Sequence, residues 1–126
     1  LGESLLERFN EVSQAGLDEM RNDPEGPSRH YVRTSWHTNE QEEPFYRAVL
    51  RLAQSSWQPA VEAIEAIHQA WGDLIRAEVG DDAIAEAIIL IGEGLYYHAA
   101  MPSDWASTAF DHSIDELLAV VDRLKG

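Results

Sequence analysis

The stretch Asp81–Met101, DDAIAEAIILIGEGLYYHAAM, decides how the rest of the chain is read. Between Ala83 and Met101 the polar side chains are Glu86, Glu93 and His98. Ile84, Ile88, Ile91 and Leu95 recur at helical spacing and make one apolar face. Glu86 and Glu93, seven apart, form a thin polar stripe on the opposite side. The flanks between are also apolar: Ala85, Ile89, Gly92 and Tyr96 on one, Ala87, Leu90, Gly94 and Tyr97 on the other. A helix that is apolar nearly all round must be covered nearly all round. A small chain has few helices for this, so its own core is expected on one side and a second copy of the chain on another. A membrane span is disfavoured, because the uncharged run Ala87 to Gly92 is far too short to cross a bilayer.

Working outward, punctuation residues mark further helices. Upstream, Gly80 is placed to end a helix that Pro59 begins, with Val61, Ile64, Ile67 or His68, Trp71, Leu74 and Ile75 as its stripe; Asp81 or Asp82 then caps the central helix. Before that, Pro44 opens a helix whose buried face is Phe45, Val49, Leu52 and Ala53, ending at Trp57. Ser28 is placed to cap a short helix through Trp36 or His37, flanked by loops at Asn22–Pro27 and Thr38–Glu43. The first helix covers Ser4–Arg21, with Leu5, Phe9, Val12 and Met20 on one side. Downstream, Pro102 stops the central helix and Ser103 caps the last one. Its seam is Phe110, Ile114, Leu117, Leu118, Val121 and Leu124, with Arg123 and Lys125 at its negative end. No stretch alternates with period two, so the fold class is all-α with six helices.

Composition removes several functions. The 126 residues suffice for one domain, and 44% apolar content marks it as globular. The chain has no cysteine, which excludes disulfides, thiolate metal sites and thiol nucleophiles. Net charge is −14, from 23 acidic and 9 basic residues, and the basic ones are scattered. Such a surface repels nucleic acid and anionic membrane. Nothing marks the chain for secretion, so cytoplasm is the expected compartment. Leu1 does not read as a native start, and the chain is expected to be a fragment of a larger protein.

Catalytic and metal motifs are sparse. Glu65-Ala-Ile-His68 matches the Glu-x-x-His half-motif of di-iron bundles, but a second copy is missing. No His-x-x-x-His or His-Glu-x-x-His occurs. No nucleophile is spaced toward a base, so no catalytic residue, metal ligand or cofactor is assigned. Gly92-x-Gly94 lies inside a helix, where it would let another helix approach closely. The aromatics Tyr31, Trp36, Phe45, Tyr46, Trp57, Trp71, Tyr96 and Tyr97 gather in the middle of the chain. With a few polar groups such as His68 and Glu93 they are the material of a small-molecule cavity.

Six helices, with a nearly all-apolar penultimate one carrying the acidic-Gly-Leu step Glu93-Gly94-Leu95, then a Pro-containing turn and the amphipathic SIDELLAVVDRL, resemble the C-terminal domain of the tetracycline-repressor (TetR) family of transcription regulators. The resemblance extends from Ser4 to Leu124. It implies an effector-binding and dimerisation domain whose N-terminal helix-turn-helix is absent from this chain, so that DNA is a partner only through that missing domain. It also implies that the last two helices pair with the same two of a second subunit as a four-helix bundle, while the earlier helices surround a ligand cavity. The ligand-binding residues expected here are Tyr31, Trp36, Phe45, Val49, His68, Trp71, Glu93, Tyr96 and Tyr97, and the ligand is small and hydrophobic or aromatic. The expected homodimer interface is Ile89, Gly92, Tyr96, Ala100, Phe110, Ile114, Leu117 and Val121. The short helix with Tyr31 and Trp36, having few apolar anchors, is expected to be the least stable element and the movable wall of the cavity. The competing readings are a small helical metalloenzyme built on Glu65 and His68, and an interaction bundle without a ligand.

Overall fold

The computed structural model describes residues 2–36, 43–100 and 114–126. Within them the chain is all-α, with six helices and no strand. They are α1 (Gly2–Asn22), α2 (Pro27–Trp36), α3 (Glu43–Gln54), α4 (Gln58–Val79), α5 (Asp82–Ala100) and α6 (Ile114–Lys125). The connections expected at Thr38–Glu43 and at Pro102–Ser103 fall mainly outside the described residues, as does Phe110.

Local chemistry explains the boundaries. Asp81 caps α5, its carboxylate accepting the Ile84 amide at 3.1 Å. Gly80 ends α4 in the left-handed region at φ 77°, and its N–H donates to the Arg76 carbonyl at 2.8 Å. Pro59 sits in the first turn of α4, after an extended Trp57. Between α1 and α2 the turn is held by Asp23, whose carboxylate accepts the Glu25 amide at 2.8 Å and pairs with His30 at 2.8 Å and with Arg33. The cap expected from Ser28 comes from elsewhere. Ser28 lies inside the first turn, and its amide donates to Glu78 of α4 at 2.9 Å. Glu78 also pairs with Lys125 of α6 at 3.1 Å.

Two apolar clusters form the core. Met20, Tyr31, Val32, Ile75, Ala85, Ile88, Leu95, Leu118 and Val121 centre on α2, α5 and α6, with Met20 entering from α1 and Ile75 from α4. Phe9, Leu17, Val49, Ala60 and Ile67 join α1, α3 and α4. Trp71 and Leu74 of α4 pack against both. Each large side chain fully buried in this way contributes about 1.5–3 kcal/mol.

The central helix is covered mostly by its own chain. Its buried line is Ala85, Ile88, Gly92 and Leu95, turned somewhat from the expected isoleucine face. α2 packs on this line more extensively than any other helix pair in the fold. Gly92 makes room for it: a Cβ there would overlap the Tyr31 ring. The expectation of a weakly anchored α2 is corrected by this contact, because Tyr31 and Val32 are sunk into the core at 6% and 0% exposure. The opposite flank faces outward, with Leu90 and Tyr97 each 58% exposed.

Candidate functional site

A cavity of about 200 Å³ lies at the seam between the two clusters. Five helices line it. α1 contributes Phe9, Val12, Ser13, Gly16, Glu19 and Met20, which recur every three or four residues along one face. α2 adds His30, Tyr31, Thr34 and Ser35, and α3 adds Tyr46. α4 supplies Ile67, His68 and Trp71, and α5 supplies Gly92, Glu93 and Tyr96.

Its wall is a connected set of rings. Trp71 lies 5.6 Å from Tyr31, 6.0 Å from Tyr46 and 5.1 Å from His68, centroid to centroid. Tyr46 meets Tyr96 edge-on at 5.6 Å. Aromatic contacts of this kind hold their members in fixed relative positions.

A polar line crosses the aromatic wall. The Tyr46 hydroxyl and His68 Nε2 are hydrogen-bonded at 2.9 Å, and His68 Nδ1 faces Glu93 Oε1 at 3.8 Å. Burial pushes His68 below its ordinary value of 6.5, although Glu93 pulls the other way, so the ring is neutral at pH 7. Burial, with Tyr96 and Glu93 adding to it, pushes Tyr46 up to about 12. Tyr31 is raised by burial and by the same Glu93 charge, and its hydroxyl donates to the Ile89 carbonyl at 3.3 Å. Both phenols are therefore neutral at physiological pH.

Among the nine ligand residues expected from sequence, Tyr31, His68, Trp71, Glu93 and Tyr96 line the cavity. Val49 and Phe45 do not. Val49 is fully buried in the α1–α3–α4 cluster and Phe45 packs on that cluster, which turns the neighbouring Tyr46 toward the cavity instead. Trp36 packs on the α2–α5–α6 cluster, and Tyr97 is on the outer flank of α5. The α1 side of the cavity was missed. Its signal was the run Phe9, Val12, Gly16, Met20, an apolar face broken by one residue without a side chain.

The expected interface residues divide differently. Gly92 and Tyr96 face the cavity, and the Ile89 carbonyl serves Tyr31, so that flank of α5 is turned toward the chain's own interior. Val121 is wholly buried in the chain's own core, while Ile114 and Leu117 are half-buried beside it. Phe110 and the side chain of Ala100 lie outside what is described.

Among the described residues no three or more His, Cys, Asp or Glu side chains gather where a metal ion could be held. Glu65 is exposed on α4 and His68 is engaged with Tyr46. No described helix is long and apolar enough to cross a membrane. The chain matches no family model, no curated protein and no solved structure.

Proposed function

We propose that this chain is the effector-sensing and dimerisation domain of a TetR-like transcription regulator, in which a small, largely apolar ligand relieves DNA binding by a domain outside this chain. The observation that carries the reading is the cavity at the seam of the two clusters. A vacancy walled by five helices lets one small molecule act on the mutual packing of most of the fold. It supports sensing over a plain interaction bundle, for which a filled seam would be more stable. The net charge of −14 supports leaving DNA contact to another domain.

The test is thermal denaturation of the chain against a library of small aromatic compounds, with tryptophan fluorescence as a second readout. A true ligand raises the melting temperature and perturbs Trp71. Ser13→Trp, which fills the cavity from α1, is expected to abolish both responses while leaving the helical circular dichroism intact. Should no compound shift the melting temperature, or should the filled variant respond as well as the original, the sensing reading is wrong.

Dimerisation is proposed through the outward flank of α5, where Leu90 and Tyr97 lie with Ala83, Ala87 and Gly94, and through α6. Large exposed apolar side chains in one row are the material of a subunit contact. Sedimentation is expected to give a dimer at micromolar concentration and a monomer for Leu90→Glu. A monomer for the unaltered chain would refute this part alone.

A further inference from the structure

The chemistry of the cavity's polar end says which class of ligand it takes. Among the described residues that line it there is no lysine or arginine, while Glu19 and Glu93 bring two carboxylates. Nearby cations are engaged elsewhere: Arg33 with Asp23 and Glu25, and Arg76 with Asp73. His68 faces Glu93 at 3.8 Å, and its buried position keeps it neutral at pH 7. Glu93 therefore has no lysine or arginine beside it among the described lining residues, and Arg76, which borders an adjoining hollow with it, is held by Asp73.

Three kinds of ligand can be weighed against this. An anion would meet two carboxylates and the field of a chain of net charge −14. A neutral ligand would strip water from Glu93 and give little in return. A cation would replace that water with an ion pair, while an attached ring could pack against the aromatic wall of Trp71, Tyr46 and Tyr31. Glu19 and Glu93 are exposed while Phe9, Met20 and Ile67 are buried, so charge belongs at the mouth and an apolar body inside. The volume of about 200 Å³ is below the usual range of about 300–1,000 Å³ for drug-sized ligands and suits a body of about one ring.

We propose that the cavity binds a small organic monocation of the aralkylamine class, its ammonium group against the Glu93 carboxylate and its ring among Trp71, Tyr46 and Tyr31. This rests on the sensing role proposed above and gives that role a ligand chemistry.

Three probes of one shape and different charge test it: phenethylamine, phenethyl alcohol and phenylacetate, titrated calorimetrically into the unaltered chain at neutral pH. Phenethylamine is expected to bind at least tenfold more tightly than the alcohol, and phenylacetate not at all. In Glu93→Gln the amine is expected to lose that advantage while the alcohol binds as before. Equal or tighter binding of the alcohol or the acid overturns the cation assignment and leaves the sensing cavity standing. If none of the three binds at 10 mM, the amine class is overturned, and the compound library then decides whether the cavity senses anything. If the amine's advantage survives Glu93→Gln and disappears in Glu19→Gln, the role given to Glu93 is overturned. Should Glu93→Gln fail to fold, the probe series on the unaltered chain still decides the charge class.

Discussion

Gly92 and Gly94 stand two residues apart in α5 and face opposite ways, which makes them a matched pair for experiment. A Cβ at Gly92 would overlap the Tyr31 ring, whereas nothing lies within 4 Å of one at Gly94. Alanine in a helix interior is favoured over glycine by about 1 kcal/mol. Gly94→Ala is expected to stabilise the chain by up to about that amount. Gly92→Ala has the same propensity gain but must displace a buried tyrosine, and overpacking of this kind costs about 1–3 kcal/mol. Urea denaturation of the two variants should therefore give shifts of opposite sign. Of the Gly-x-Gly pair only Gly92 meets an approaching helix, and the approaching group is a tyrosine of the same chain. Spacing alone could not say so, and the same limit applies to Phe45 and Tyr46. Sequence periodicity orders residues around a helix but leaves its rotation free by about one residue, and here that decides which ring faces the cavity.

At the scale of elements, the composition of α2 predicts few apolar anchors, whereas the structure holds it at both its face and its end. Its face sinks Tyr31 and Val32 between α4, α5 and α6; its first turn is capped by Glu78 from α4. Gly26, at φ 96°, suits a left-handed backbone that side chains rarely adopt, and a Cβ there would also push the Glu78 carboxylate from its place. Glu78→Ala removes the cap on α2 and the partner of Lys125 together. It is expected to lower global stability by about 1–2 kcal/mol, the range for loss of a helix cap, and to speed hydrogen exchange first at the N-terminal amides of α2. Uniform acceleration across the fold would show that the cap is not specific to α2. Helix ends were legible because Pro59, Gly80 and Asp81 act through local backbone chemistry. The cap on α2 was not, since it comes from a carboxylate 50 residues away.

For the molecule as a whole, the titrating groups set an acid limit with two steps. Burial keeps His68 neutral in the fold, so the unfolded chain takes up the proton first. Stability is complete above pH 6.5 and falls as the pH drops below it. Asp23 is pushed up by burial but drawn down further by the Glu25 amide, His30 and Arg33, to about 2. Its contribution is present above its ordinary value of 3.8 and is lost between there and about pH 2. Glu78, raised by burial but lowered more by Ser28 and Lys125, adds to the loss below 4.5. Melting temperature against pH is thus expected to fall in an upper step removed by His68→Gln and a lower step diminished by Asp23→Asn. A single step below pH 4 in the unaltered chain would contradict the burial assigned to His68.

The geometry of α1 adds a mechanical consequence. At 1.5 Å per residue this helix is about 30 Å long. Met20, near its end, is clamped in the core at 2% exposure. Gly2, at the other end, rests so close to the Trp57 indole that a Cβ would lie 2.9 Å from it. The cavity borders the helix from Phe9 to Met20. Between the two ends Phe9 and Leu17 are buried as well, so the helix is a stiff rod bedded on α3 and α4 along its length. Any shift that a cavity occupant imposes on this rod is carried to its far end, where Trp57, which lines no part of the cavity, is the indole placed to register it.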